Sequence, residues 1–406
     1  METWRSSNGR RGRGRGRGRG SYSSLYNARS NYTGPSNTSN NYTTTRKPTV
    51  NVSDKLDDND AESIPTLIGT CPFMCPVDER VQRERLRDLA IFERLDGNPS
   101  KSSSTLAVKK FCRTISTKDV RSMDIRPLAV LEDTLNHLLT VFESSEHSFE
   151  AVHDFIFDRT RSIRQDLSMQ NIVSGNQAVA IYERIVKFHI VSHYKLRRSH
   201  ESSDSNPNAS PMHYLNMEQL TKTLASLYHL YDQNCKSNPE FYSFYVLLHL
   251  GSDRQPSGES LSLWFRSLPF SIVKSKEMMF SRRLLRHFRF GNYKQFLETI
   301  DAEASRLQYY VIEPYICEVR ALGLSCLNDG GYKLNPYPIE DISRYLLMEE
   351  SDVESFCKDC GLDIFTSETG SKFMSAKQTN FGFSKGSQKY YPLVSKRLQK
   401  FTDEVH

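Results

Sequence analysis

The stretch LAVLEDTLNHLLTVF, residues 128–142, decides the fold class of this chain. Its residues Leu128, Leu131, Leu135 and Leu138 recur at steps of three and four positions. That spacing places the four side chains on one face of an α-helix, which turns once every ~3.6 residues. The segment therefore predicts an amphipathic helix that buries its leucine face against other helices.

Helical periodicity recurs along most of the chain that follows. The further segments predicted as helices are 176–191, 217–234, 239–250, 258–268, 274–290, 292–305 and 309–327. Short helices joined by short turns favour antiparallel pairs stacked as a solenoid, since each pair is too small to bury its apolar face alone. A polar stretch at 199–211 is predicted to be an exposed loop.

The pattern changes after the turn-rich residues 328–338. A helix is predicted at 339–348, and a second helix follows with Ser351 and Glu354 spaced as a capping box and Gly361 as its stop. The segments with strand-like alternation are 362–366, 372–381 and 389–394. Two helices followed by a β-ribbon are the outline of a winged helix.

The sequence thus predicts a mainly α fold, a helical solenoid capped by a C-terminal winged-helix subdomain and preceded by a disordered tail. The predicted boundaries are 1–63 for the Arg-Gly/Ser/Asn-rich tail, 64–335 for the helical array, 336–395 for the winged helix and 396–406 for a C-terminal tail. We find no run of about 18 apolar residues and no hydrophobic signal core, so neither membrane insertion nor secretion is expected.

The charge of the chain suggests nucleic acid, but it is confined to one end. The 406 residues carry 54 Lys and Arg against 48 Asp and Glu, a net charge of +6. Residues 1–20 hold seven arginines and one acid, Glu2, so the net charge of this segment alone equals that of the whole chain. Binding surfaces in the rest of the chain must therefore be sought as local patches.

Arg and Gly alternate in GRRGRGRGRGRG, residues 9–20. With no apolar side chain to offset the entropy of ordering, this segment is predicted to be disordered. Guanidinium groups on a flexible backbone engage phosphates and stack on unpaired bases, so we expect RNA contact here. A solubilising tail or a substrate for arginine methylation is the alternative. The arginines assigned to RNA are Arg10, Arg11, Arg13, Arg15, Arg17 and Arg19.

A second basic feature lies inside the predicted fold, at 274–289. As a helix, this segment separates an apolar side from a basic side that contains one acid, Glu277. RNA contact, docking of an acidic partner and a merely solvated face are the three interpretations. The basic residues are Lys274, Lys276, Arg282, Arg283, Arg286 and Arg289.

Two cysteine pairs, Cys71 with Cys75 and Cys357 with Cys360, suggest zinc at first sight. A structural zinc site needs four ligands, and these pairs lie near opposite ends of the chain, so they are predicted to be buried thiols. His189 and His193 are spaced as metal ligands on a helix, but His189 falls on the apolar face, which favours a core histidine. We expect no metal, cofactor or catalytic site.

Two blocks carry a family resemblance: GTCPFMCPVDER at 69–80 and FDRTRSIRQDL at 157–167. They resemble the signatures of the suppressor-of-actin-three/GANP family of messenger-RNA export scaffolds, and the resemblance covers about residues 67–395. The motif residues that we assign a structural role are Cys71, Cys75, Pro76, Arg80, Asp158, Arg159, Arg161 and Arg164.

The resemblance implies a PCI-like helical array whose winged helix pairs with a PCI-domain protein. It further implies a small acidic subunit that braces this partner, a shared platform for messenger RNA, and a place in a nuclear transcription-and-export complex two at the pore. Unlike the longest members, this chain is expected to lack the C-terminal region that binds centrin. Its tail has Arg-Gly rather than Phe-Gly repeats, so contact with nucleoporins would need other surfaces.

Elementary chemistry assigns both blocks a structural role. The prolines of the first fix its backbone, and Cys71 and Cys75 can bury as small apolar side chains, so it is interpreted as a clasp. The arginines of the second alternate with Asp158 and Asp166, which favours internal ion pairs or docking over free RNA contact.

The expected function is a non-enzymatic export scaffold in the nucleus. A scaffold coupled to splicing or transcription is the first alternative, and a DNA-binding winged helix is the second. The second helix of the predicted winged helix, 352–361, is rich in acids, which disfavours contact with the phosphates of DNA. A thiol enzyme using Cys357 or Cys360 is the least favoured alternative.

Overall fold

The fold is built from helices that mostly pack against their neighbours in the chain. The computed structural model describes residues 67–114, 120–172, 175–199, 211–234, 237–251, 261–383 and 389–403. The helices are α1 (Val77–Leu86), α2 (Leu128–Ser144), α3 (Phe149–Met169), α4 (Asn176–Ser199), α5 (Pro211–Gln233), α6 (Pro239–Leu248), α7 (Leu261–Ser267), α8 (Phe270–Val273), α9 (Lys276–Arg289), α10 (Tyr293–Glu303), α11 (Arg306–Gly330), α12 (Ile339–Leu346), α13 (Glu350–Asp359) and α14 (Lys396–Asp403). The strands are β1 (Tyr337–Pro338), β2 (Ile364–Thr366) and β3 (Lys372–Met374).

The mainly α fold predicted from the sequence is confirmed. The leucine stripe at 128–142 lies in α2, where Leu131, Leu135 and Leu138 are completely buried. The helix predicted at 274–290 is α9, which begins at Lys276 because Ser275 caps it by accepting a hydrogen bond from the Met278 amide. The arginine-rich tail and most of the loop predicted at 199–211 lie outside the described residues.

Polar caps set the start of several helices. The side chains of Ser148, Asn238, Ser275, Asn292 and Ser305 each accept a hydrogen bond from a backbone amide in the first turn of the helix that follows. Such a cap satisfies one of the amides that has no partner inside the helix. Local sequence therefore fixes the starts of α3, α6, α9, α10 and α11.

Helix α4 lies at the centre of the array. It packs against α2, α3, α5 and α11, while α6 packs against α9 and α11, and α10 lies between α9 and α11. This arrangement is consistent with the predicted helical solenoid. Among the described helices, none is long and apolar enough to cross a membrane.

The C-terminal region carries a small antiparallel sheet of strand order β1-β3-β2, with α12 and α13 between β1 and β2. Two of the three predicted strand segments contain strands, but the prediction for 389–394 is wrong, because those residues form no regular element. Strand β1, which precedes the helices, pairs with β3 instead. Ser351 does not cap α13, which begins one residue earlier.

Gly361 ends α13 as predicted. It has φ +74°, and a Cβ at this position would lie 2.4 Å from the carbonyl oxygen of Asn380. Both the left-handed backbone and the close approach of a neighbouring segment therefore require glycine here.

A buried arginine on α11 holds the C-terminal segments together. Arg320 donates hydrogen bonds to the carbonyl oxygens of Leu346 at 2.9 Å, Leu347 at 2.6 Å, Tyr391 at 2.7 Å and Pro392 at 3.1 Å. Its side chain is completely buried, and that burial lowers its pKa to about 10. The segment predicted as a strand at 389–394 is thus held by a side chain rather than by a sheet.

Candidate functional site

The basic residues predicted as a stripe form an exposed surface on α9 and the turn before it. Exposed side chains in this set are Lys274, Lys276, Arg282, Arg283, Arg286 and Arg289. The opposite side of α9 buries Met278, Phe280, Leu284 and Leu285 in the core. We call these six cations the α9 basic surface.

Aromatic rings lie among the cations of the α9 basic surface. The guanidinium carbon of Arg282 lies 5.4 Å from the centre of the Phe265 ring, and the Lys274 ammonium lies 5.3 Å from that of Phe270. Phe270 itself is 76% exposed. Flat rings beside arginines are the combination that binds single-stranded nucleic acid, because bases stack on the rings while cations contact phosphates.

One residue of the surface also has an internal role. Arg283 forms an ion pair with Glu303 of α10, and both side chains are partly exposed. A surface ion pair of this kind adds little stability, so Arg283 retains the ability to exchange Glu303 for a phosphate.

The first family block, residues 69–80, leads into the start of α1 and is partly buried. Cys71 and Cys75 are 2% exposed, and the amide of Cys71 donates to the carbonyl oxygen of Ile125 at 2.9 Å. Pro76 is buried and stands at the start of α1, where its carbonyl oxygen accepts from the Arg80 amide at 3.0 Å. Burial raises the pKa of the Cys75 thiol to about 12, so this thiol is protonated at neutral pH.

The second block, on α3, supplies one side of a buried ion-pair network. Arg159 donates to Glu93 at 2.9 Å and also pairs with Asp158, while Arg83 of α1 pairs with the same Glu93. Burial opposes ionisation of Glu93, but the charges of Arg159 and Arg83 outweigh it and hold its pKa below the usual value. The network ties α1 and the 91–93 turn to α3.

A second buried cluster surrounds Asp166 of the same block. Its two carboxylate oxygens accept from Lys109 and from Arg126, each at 2.7 Å. Arg126 is completely buried and also donates to the Ser162 hydroxyl at 2.6 Å. This cluster fixes the chain segments before α2 against α3.

The remaining two arginines of the block have different environments. Arg164 donates to Gln219 of α5 at 2.6 Å, and burial lowers its pKa to about 10. Arg161 is half-buried, and its guanidinium carbon lies 3.9 Å from the centre of the Phe111 ring. Neither Arg161 nor Arg164 forms an ion pair with a carboxylate among the described residues, in contrast to Arg159.

The sequence of this chain matches a known family over most of its length. A sequence model of the SAC3/GANP family matches residues 74–366. The chain belongs to the SAC3/GANP family.

Several relatives of this SAC3/GANP chain are much longer than it is. It is 32% identical to SAC3 family protein B of Arabidopsis thaliana over 323 residues, which cover 77% of this chain and 18% of the relative. Identity is 28% with SAC3 family protein 1 of Schizosaccharomyces pombe, covering 82% and 33%, and 25% with Protein xmas of Drosophila melanogaster, covering 83% and 16%. The chain thus spans a third or less of the length of these relatives.

Sequence reasoning about this SAC3/GANP chain missed the partners of its motif residues. Glu93, Lys109 and Arg126 pair with charged residues of the second block, yet they stand in segments without helical periodicity. The sequence pattern that could have indicated these partners is a charged residue next to apolar ones, as in Ala107-Val108-Lys109. Both Ala107 and Val108 are completely buried. The arginines assigned to RNA, Arg10 to Arg19, lie outside the described residues.

The other cysteine pair of this SAC3/GANP chain and His189 lie in its core. Cys357 and Cys360 are buried, which raises the pKa of each thiol to about 12. His189 is completely buried and bonds to Asn216 at 2.8 Å, and burial lowers its pKa to about 3. Within the part of the chain that the structure describes, no three His, Cys, Asp or Glu side chains come together as metal ligands.

Proposed function

We propose that this chain is a non-enzymatic scaffold that holds messenger RNA for export from the nucleus. The observation that carries the proposal is membership of the SAC3/GANP family across residues 74–366. A large share of its charged motif residues is used for internal ion pairs, as expected of a rigid support. The proposed site of action is the nucleus, at or near the nuclear pore.

RNA is held, in this proposal, by the α9 basic surface and by the arginine-rich tail. The exposed cations on α9 contact phosphates, and Phe270 offers a ring on which a base can stack. Because such contacts release counterions from RNA, binding should weaken steeply as salt is added. Its sequence preference should be small.

The sheet region with α12 and α13 is proposed to be a winged helix that docks a PCI-domain protein. Phe365 of β2 stands directly opposite Phe373 of β3, and their ring centres are 5.7 Å apart. Phe365 is 44% exposed, so this pair presents apolar area on the outer face of the sheet. A small acidic subunit would bind this partner rather than the present chain, and contacts with nucleoporins would run through the assembled complex.

DNA reading by the same region is disfavoured by its charge. Helix α13 has Glu350 and Asp352 in its first turn, and Glu354 forms an ion pair with Lys372 of β3. Negative charge on the helix that would enter a groove opposes the approach of DNA phosphates. A protein partner, by contrast, can complement it.

The proposal is tested by purifying a tagged full-length chain from nuclear extract and identifying stable partners. A PCI-domain protein should co-purify with the wild type and be lost from Phe365→Ser, while a change at the exposed Arg85 of α1, R85E, should leave it bound. Depletion of the protein should cause polyadenylated RNA to accumulate in the nucleus. Recovery of splicing factors without a PCI partner, with unchanged RNA distribution, would show the proposal to be wrong.

A further inference from the structure

A cleft of about 1020 Å³ lies between the segment 87–94, helix α3 and the first half of α5. Its lining combines charged and apolar side chains, and it is made of residues that the α9 basic surface does not include. Two aliphatic side chains from different elements are open to solvent: Ile91 is 38% exposed and Leu215 is 42% exposed. We call this feature the α3–α5 cleft.

Most acids of the α3–α5 cleft are neutralised by the protein itself. The pairs are Asp88 with Lys110, Asp158 with Arg159 and Glu218 with Lys222. The fourth acid of the lining is Asp154, which is exposed. The lining carries seven cations against these four acids, so the cleft has a net positive charge.

Four lining arginines form no ion pair with any described residue: Arg87, Arg94, Arg113 and Arg161. The Arg161 guanidinium lies over the Phe111 ring, and burial together with the nearby charge of Arg113 outweighs the acids Asp158 and Glu218 and lowers the pKa of Arg161. Two guanidinium groups that repel each other in a cleft are stabilised by an anion that contacts both. The geometry thus calls for a negatively charged ligand near Arg113 and Arg161.

We propose that the α3–α5 cleft binds an acidic peptide segment of a partner protein, with carboxylates on Arg113 and Arg161 and an apolar side chain between Ile91 and Leu215. Complementary charge would set its orientation, and the aliphatic contacts would hold it in place. This interaction is separate from RNA binding by α9 and from docking on the sheet.

The apolar lining favours a peptide over RNA. Two rings of the lining, Phe155 and Phe157, are buried, and the guanidinium carbon of Arg159 lies 4.9 Å from the centre of the Phe155 ring. Buried rings offer little face for a base to stack on, whereas exposed Ile91 and Leu215 suit the aliphatic side chains of a peptide.

The test uses fluorescence anisotropy with the full chain and three labelled probes. The first is a peptide of alternating Glu, Asp, Leu and Phe, the second has Ser in place of Leu and Phe, and the third is oligouridine RNA. The variants are Arg113→Glu at an exposed position, Leu215→Ser, and Arg344→Glu on α12 as a matched charge reversal outside the cleft. All of them retain the arginine-rich tail, so differences between them report the cleft.

The first peptide should bind the wild type and R344E with equal affinity. Its affinity for R113E should be about tenfold lower and should depend less steeply on salt. L215S should weaken the first peptide while leaving the second unchanged. Equal affinity of the first peptide for R113E and R344E would overturn the proposal. So would a loss confined to oligouridine, which would assign the cleft to RNA.

Discussion

The guanidinium of Arg126 donates to the carboxylate of Asp166 at 2.7 Å, and both side chains are completely buried. Lys109 completes the cluster from the other side of the same carboxylate. The single negative charge of Asp166 thus pairs with two cations that come from segments before α2. Because buried charges are costly without a partner, this carboxylate holds both segments against α3.

Asp166→Asn should therefore destabilise the chain strongly. The change leaves Arg126 and Lys109 buried without a counter-charge, and we expect the free energy of unfolding to fall by about 3–5 kcal/mol. Urea denaturation followed by circular dichroism measures it. Asp341→Asn, which breaks an exposed ion pair with Arg344, should cost less than about 1 kcal/mol. Similar losses in the two variants would contradict the assignment.

Arg320→Met should loosen the C-terminal region. The methionine fills part of the space, but the carbonyl oxygens of Leu346 and Tyr391 lose their donor, at an expected cost of about 2–4 kcal/mol. Limited proteolysis should then cut near residues 389–395 sooner than in the wild type. Arg344→Met on the surface of α12 provides the control, and equal cutting in both variants would rule out a bracing role for Arg320.

Acid should weaken the fold through His189. Burial lowers its pKa to about 3 in the folded chain, against 6.5 for an ordinary histidine. The unfolded chain then binds one more proton between these values, so stability is complete above pH 6.5 and falls by about 1.4 kcal/mol per pH unit below it. Below about pH 3 this loss levels off.

Urea denaturation of wild type and variants at about pH 7.5 and 5.5 measures this dependence. His189→Asn should be less stable at both values but lose about 1.4 kcal/mol less than the wild type between them. His229→Gln, at an exposed position on α5, should keep the full dependence. An unchanged dependence in the His189 variant would show that other groups cause it.

Charge reversal on α9 should weaken RNA binding. Arg282→Glu combined with Arg286→Glu removes two exposed cations, and each lost phosphate contact should reduce the slope of log affinity against log salt by about 0.7 for single strands. Filter binding of an unstructured RNA over a salt series provides the measurement. R344E tests for a general charge effect, and a slope equal to that of wild type in the double variant would exclude α9 from the RNA surface.

Deletion of residues 9–20 should have a separate effect. Removal of six of the arginines is expected to lower the affinity for all RNA sequences by a similar factor and to flatten the salt dependence. The same assay on several RNAs of different sequence measures it. If the affinity fell for one sequence alone, the tail would be a specific reader rather than a general RNA contact.

The helices could be predicted because their apolar spacing is a local property, as the stripe through Leu131 and Leu135 shows. The partners of the family motifs could not, since Lys109 and Asp166 are brought together only by the packing of segments far apart in the chain. The strand predicted at 389–394 failed for a related reason. Apolar and polar residues do alternate there, but the Tyr391 carbonyl oxygen accepts a hydrogen bond from Arg320 instead of from a neighbouring strand.

The four carbonyl oxygens gathered by Arg320 have a consequence for engineering. They belong to the end of α12 and to the segment before α14, whereas the guanidinium belongs to the last long helix of the array. The C-terminal sheet region therefore cannot be moved to another protein as a self-contained unit. Grafted onto another protein without α11, it would need a new donor for each of these oxygens before it could keep its shape.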